Sequence, residues 1–83
     1  MLIKTLNNTQ LIILKKISEN KESTLSSILR TTSEENKIPL STLKLNSKKL
    51  KELEIIEYRN YKRVELTDSG LLVLNILKGV ETV

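Results

Sequence analysis

Pro39-Leu-Ser-Thr-Leu-Lys-Leu-Asn-Ser-Lys-Lys-Leu-Lys-Glu-Leu-Glu-Ile-Ile-Glu-Tyr58 is the stretch on which the reading of this chain turns. At about 100° per residue, Leu40, Leu43, Leu50 and Leu53 fall along one side of a helix. Ser41, Leu45, Lys48 and Lys49 fall on the other, flanked by Thr42, Lys44 and Glu52. The spacing therefore predicts an amphipathic helix whose outward face carries lysines and small hydroxyl side chains. Two short alternating runs follow, Ile55-Ile-Glu-Tyr58 and Arg63-Val-Glu-Leu66, which read as paired strands joined by Arg59-Asn60-Tyr61-Lys62. That turn holds no glycine, so a loop of about four residues or more is expected instead of a tight two-residue turn. A basic helix beside a basic-tipped hairpin suits contact with nucleic acid.

Charge supports the same surface. Residues 37–63 hold eight basic side chains (Lys37, Lys44, Lys48, Lys49, Lys51, Arg59, Lys62, Arg63) against Glu52, Glu54 and Glu57, whereas the flanking segments are close to balanced. The net charge of +4 is thus concentrated in the middle third, as expected of an electrostatic footprint for phosphate. Lys44, Lys48, Lys49 and Lys51 are candidates for phosphate and base-edge contacts, and Ser41, Thr42 and Leu45 for reading bases. Arg59, Asn60, Tyr61, Lys62 and Arg63 form the expected wing tip, with arginine entering a minor groove or gripping phosphate.

Composition narrows the alternatives. Eighty-three residues make a single domain, able to bury only about two-thirds of its unfolded surface. The core must come from Leu, Ile and Val, because the chain has no Phe or Trp and only two tyrosines. It has neither Cys nor His, which removes disulfides, thiolate metal sites and imidazole chemistry. The acidic residues are scattered among lysines and the two glycines, Gly70 and Gly79, form no phosphate-cradling loop, so no enzyme activity, metal or cofactor is expected. The most apolar run, Leu71 to Leu77, has seven residues and contains Asn75, far short of the roughly twenty needed to span a bilayer. No secretory leader is evident at Met1–Leu6, and a soluble cytoplasmic protein is the expectation.

The remaining chain supplies the support. Residues 9–20 read as a first helix with Thr9 as N-cap and Leu11, Ile13, Leu14 and Ile17 inward. Residues 2–6 fit either an extra turn or a short strand. Thr24 caps a second helix with Leu25, Ile28 and Leu29 buried; it stops near Thr31–Ser33 or continues through Glu34–Glu35. Pro39 separates it from the basic helix. Thr67 or Asp68 caps a last helix, apolar nearly all round through Leu71, Leu72, Val73, Leu74, Ile76, Leu77 and Val80. One small domain cannot cover that surface, so these residues are assigned to a homodimer interface, with the segment before residue 7 as the other possible cover.

Taken together, helix, helix, basic helix, two-stranded wing and leucine-rich helix resemble the winged helix-turn-helix transcriptional regulators of prokaryotes, including MarR-like proteins and small archaeal regulators. The resemblance spans roughly residues 9–78. It is carried by Ser41-Thr42-Leu43 with Lys48-Lys49-Leu50-Lys51-Glu52-Leu53-Glu54-Ile55-Ile56, similar to that family's recognition helix running into the first wing strand. Leu66-Thr67-x-x-Gly70-x-x-x-Leu74 resembles its wing-to-helix junction. The chain departs from the pattern in a link between Ile28 and Leu43 about four residues longer, in Ser47 where the family is usually apolar, and in Glu54 where it often has Gly. The resemblance implies one winged-helix domain over 1–83, mainly α with a two-stranded antiparallel wing. Residues 9–66 would form the DNA-binding core and 67–80 the dimerisation helix. The expected activity is that of a homodimeric repressor on double-stranded DNA; the rival from another class is a protein-interaction module in which the lysines only solubilise.

Overall fold

Asn7 opens the first helix by reciprocal capping: its side-chain oxygen accepts from Gln10 N at 2.8 Å, and Gln10 Oε1 accepts from Asn7 N at 3.1 Å. The cap therefore lies two residues before the expected Thr9. The computed structural model describes residues 6–20, 23–59 and 63–81, and only the backbone of residues 77–81. Its elements are α1 (Asn8–Glu19), α2 (Leu25–Asn36), α3 (Leu40–Glu52), β1 (Ile56–Tyr58), β2 (Val64–Leu66) and α4 (Asp68–Glu81). That order, mainly helical with one antiparallel strand pair, is a winged helix-turn-helix domain.

The long link before Pro39 is taken up as helix. Thr24 caps α2 as expected, accepting from Ser27 N at 3.2 Å. The helix continues past Thr31–Ser33 because Thr32 is fully buried with its hydroxyl donating back to Ile28 O at 2.7 Å. It ends at Lys37, whose φ of 54° is left-handed, and Ile38 N returns to Ser33 O at 3.3 Å. α3 ends in the same way: Glu54 has φ 61°, and Ile55 N returns to Leu50 O at 3.0 Å. The end of α3 is a Schellman closure, completed by Glu54 N donating to Lys51 O at 2.9 Å, whereas at the end of α2 Lys37 N also donates to Ser33 O; in both the left-handed position is filled by a residue other than glycine.

The core takes side chains from every element. Ile13, Leu14, Leu25, Leu29, Leu43, Leu50, Ile55 and Ile56 are wholly buried, with Leu6 at the edge of the cluster. On α3 the buried stripe is Leu43, Asn46, Ser47 and Leu50. Leu53, expected inward, is 43% exposed because it lies beyond the last turn that the core reaches. Ser47 fits an apolar position because its hydroxyl donates to Leu43 O at 2.9 Å, leaving no buried group unpaired.

The wing pairs Ile56 with Leu66, Glu57 with Glu65 and Tyr58 with Val64. Ile56, Tyr58 and Val64 face the core, whereas Glu57 and Glu65 face solvent. An antiparallel bridge between Thr24 and Arg63 ties the start of α2 to the returning strand. α4 begins on Thr67, whose hydroxyl accepts from Gly70 N at 3.0 Å. Val73 and Leu74, assigned from the sequence to a dimer interface, are buried within this chain. Leu71 and Leu72 are 48% and 62% exposed. Ile76 is half-buried, and the side chains of Leu77 and Val80 lie outside the described residues.

Candidate nucleic-acid interface

Helical geometry divides the polar face of α3 into three strips. Ser41, Leu45 and Glu52 run along its outermost line and are exposed. Lys44, Lys48 and Lys51, spaced four and three residues apart, share a flank about 60° wide. Thr42, half-buried, and Lys49, exposed, lie on the opposite flank. The lysines that look alike in the sequence are therefore split between two sides of one helix.

Lys51 shows which flank meets the wing. Its Nζ donates to Tyr58 O at 2.8 Å, sits 4.6 Å from the centroid of the Tyr58 ring and lies 3.8 Å from Glu57 Oε1. Lys44 and Lys48, both exposed, lie on the same flank of α3 as Lys51, the side chain that meets the first wing strand. Lys51 itself, a candidate phosphate contact from the sequence, is instead engaged with the strand.

On the wing, Glu57, Arg59, Arg63 and Glu65 border one surface depression. The strand register puts the facing carboxylates Glu57 and Glu65 toward the base and the two exposed arginines toward the tip. The basic charge of the hairpin is accordingly concentrated at its far end. Asn60, Tyr61 and Lys62 lie outside the described residues.

Lys49 borders an open depression with Asn7, Gln10, Glu52 and Leu53. Beside it is a polar cluster that sequence reasoning missed. Asn46 is buried, and its Oδ1 accepts from Asn7 Nδ2 at 3.0 Å and from Gln10 Nε2 at 3.1 Å. Its own Nδ2 donates to Thr42 O at 2.8 Å. The capping pair of α1 is thereby bonded to the inward face of α3, fixing how far the basic helix projects. The Asn7-x-x-Gln10 spacing was the available signal, with Asn46 standing in an apolar stripe as the second.

The cluster has no ionisable group, and among the described residues no set of three acidic side chains is placed to hold a metal ion. Among the same residues no helix is long and apolar enough to cross a membrane. What the arrangement offers chemically is a set of cations and hydroxyls on the exposed face of α3, with Arg59 and Arg63 exposed on the hairpin.

The chain is similar in structure to SSV1 F-93, known from its crystal structure. The TM-score is 0.69 at 20% sequence identity, over 94% of this chain and 91% of that one. At that identity the likeness shows a shared fold. No protein-family model matches the chain, and no curated protein matches it either.

Proposed function

We propose that the protein binds double-stranded DNA as a homodimeric transcriptional regulator of the winged-helix type, a cytoplasmic repressor that occludes its operator. The observation that carries this reading is the placement of Lys44 and Lys48 on the exposed flank of α3 that borders the wing, with Arg59 and Arg63 at the far end of that wing. α3 lies in the major groove, its lysines on phosphates and Ser41 and Leu45 toward base edges, the leucine against a thymine methyl. The wing arginines reach the adjacent backbone or minor groove. A two-fold dimer through the exposed side of α4 spaces two such helices roughly 34 Å apart and selects a pseudo-palindromic site.

Titration with duplex DNA at several salt concentrations tests the reading. The logarithm of the binding constant falls linearly with the logarithm of salt concentration, by about 0.9 per phosphate neutralised. An affinity indifferent to salt eliminates phosphate contact as the driver. The rival reading, a protein-docking module, draws on the exposure of Leu45 and Leu72, at 55% and 62%. Lys48→Glu combined with Lys49→Glu separates the two: DNA affinity is lost in a folded protein under the first and is unaltered under the second.

A further inference from the structure

We infer that Lys51 is not a phosphate contact but a strut that sets the angle of the wing against α3, and so decides which phosphates the wing tip reaches; this rests on the DNA-binding reading above. Tyr58 is the last residue of β1 and pairs with Val64. Its two main-chain groups are both engaged by side chains: its carbonyl accepts from Lys51 Nζ at 2.8 Å, and its N–H donates to Glu57 Oε1 at 3.1 Å. In an antiparallel ladder a residue's N–H and C=O point the same way, so the edge of β1 is closed here by Lys51 and Glu57 acting as a clip. The ammonium also lies over the ring of Tyr58, a buried residue with 7% exposure. One end of the strut is therefore fixed in the core and the other in the last turn of α3. One N–H bond of the ammonium is taken by the carbonyl, the Glu57 carboxylate stands 3.8 Å away and the ring face lies beneath, so the charge is committed to the strand although the side chain stays 41% exposed.

A double-mutant cycle on the full chain tests this, with folding of each variant checked by thermal unfolding. Lys51→Met keeps the aliphatic stem and removes the cation; Lys48→Met is the control for a direct contact. Each is measured for duplex DNA affinity against salt, in the wild type and in a background carrying Arg59→Met and Arg63→Met. Lys48→Met should lower the salt slope by about 0.9 in both backgrounds. Lys51→Met should weaken binding about fivefold, or roughly 1 kcal/mol, in the wild type and less than twofold in the neutralised-wing background, where it leaves the slope unchanged. Equal losses in both backgrounds, each with a slope lower by about 0.9, would overturn the proposal and make Lys51 a phosphate ligand.

A second readout does not use DNA. Ring-current displacement should move the Lys51 ε-methylene protons upfield in the free protein, and Tyr58→Leu should abolish it. Undisplaced protons in the wild type overturn the clip. A wild-type protein that binds no duplex overturns the DNA-binding reading instead, and with it the wing-aiming role of Lys51, while displaced protons then retain the clip as a fold contact.

Discussion

A Cβ built on Gly70 would lie 2.1 Å from the carbonyl oxygen of Ile55. The first turn of α4 therefore touches the backbone where α3 hands over to β1. Three further contacts converge there: Thr67 N donates to Ile55 O at 3.0 Å, and the Thr67 hydroxyl lies against both Glu54 O and Ile55 O. The same hydroxyl oxygen receives Gly70 N. The Thr67-x-x-Gly70 phrase is thus a clamp between the last helix and the end of the basic helix, made of main-chain groups and the Thr67 hydroxyl.

Gly70→Ala is predicted to be costly for that reason. The clash is with main chain, so α4 or the α3–β1 junction must shift, at about 3 kcal/mol. Urea unfolding of the variant should show a midpoint lowered accordingly, and an unchanged midpoint would mean the helix can slide without loss.

Glu54 and Lys37 lead to the opposite expectation. Both hold left-handed backbone, with φ of 61° and 54°, that a side chain disfavours. Glu54→Gly and Lys37→Gly should each stabilise the fold, by about 0.5–1 kcal/mol once the greater freedom of glycine in the unfolded chain is set against the relieved strain. Chemical denaturation reads the gain directly.

Asn46 joins α3 to the α1 cap, so its loss should exceed that of an ordinary surface amide. Asn46→Ala strands the buried Gln10 amide donor and is expected to cost about 2 kcal/mol. Asn7→Ala removes a partly exposed cap and should cost about 1 kcal/mol. A smaller effect for Asn46→Ala than for Asn7→Ala would show that water replaces the lost acceptor.

The two sides of α4 should respond differently. Leu71→Lys with Leu72→Lys changes only exposed positions, and light scattering should report a fall from dimer to monomer mass. Val73→Ala opens a void in the protomer's core and should lower stability by about 2 kcal/mol while leaving the mass unchanged. A monomeric wild type would remove the dimer from the proposed function.

Alkaline pH should act on the join between α1 and α2. Lys16 Nζ donates to Glu35 Oε1 at 2.6 Å, and that hydrogen bond, against some desolvation and with help from the Glu35 and Glu19 charges, holds the ammonium above its ordinary value of 10.5. A raised folded-state value means the contribution is fully present below pH 10.5 and is lost as pH climbs through the raised value. The pair is exposed, so the effect is small and screened by salt. Comparing the alkaline limbs of wild type and Lys16→Met isolates it: the variant should lose less stability there.

Much of this molecule was legible in its sequence because the signals were local. The period of Leu43 and Leu50, the alternation of Ile56, Tyr58 and Val64, and the caps at Thr24 and Thr67 depend on neighbours within a turn or two of chain. The outward face of α3 followed from the same period, and Ser41, Lys44, Leu45, Lys48 and Lys49 are all exposed on it. At the start of α1 the cap is Asn7 instead of the expected Thr9, and Asn7 also bonds Asn46, 39 residues away.

What only tertiary structure decided was which side of each helix the rest of the chain occupies. Periodicity gave α4 leucines all round, but packing chose Val73 and Leu74 for the core and left Leu71 and Leu72 outside. The helical period alone puts Lys49 on the flank opposite Lys51, but only the path of β1 drew Lys51 to Tyr58. Residue type sets how much apolar surface and charge each helix carries; the direction in which they point depends on contacts between distant segments, which no short window of sequence contains.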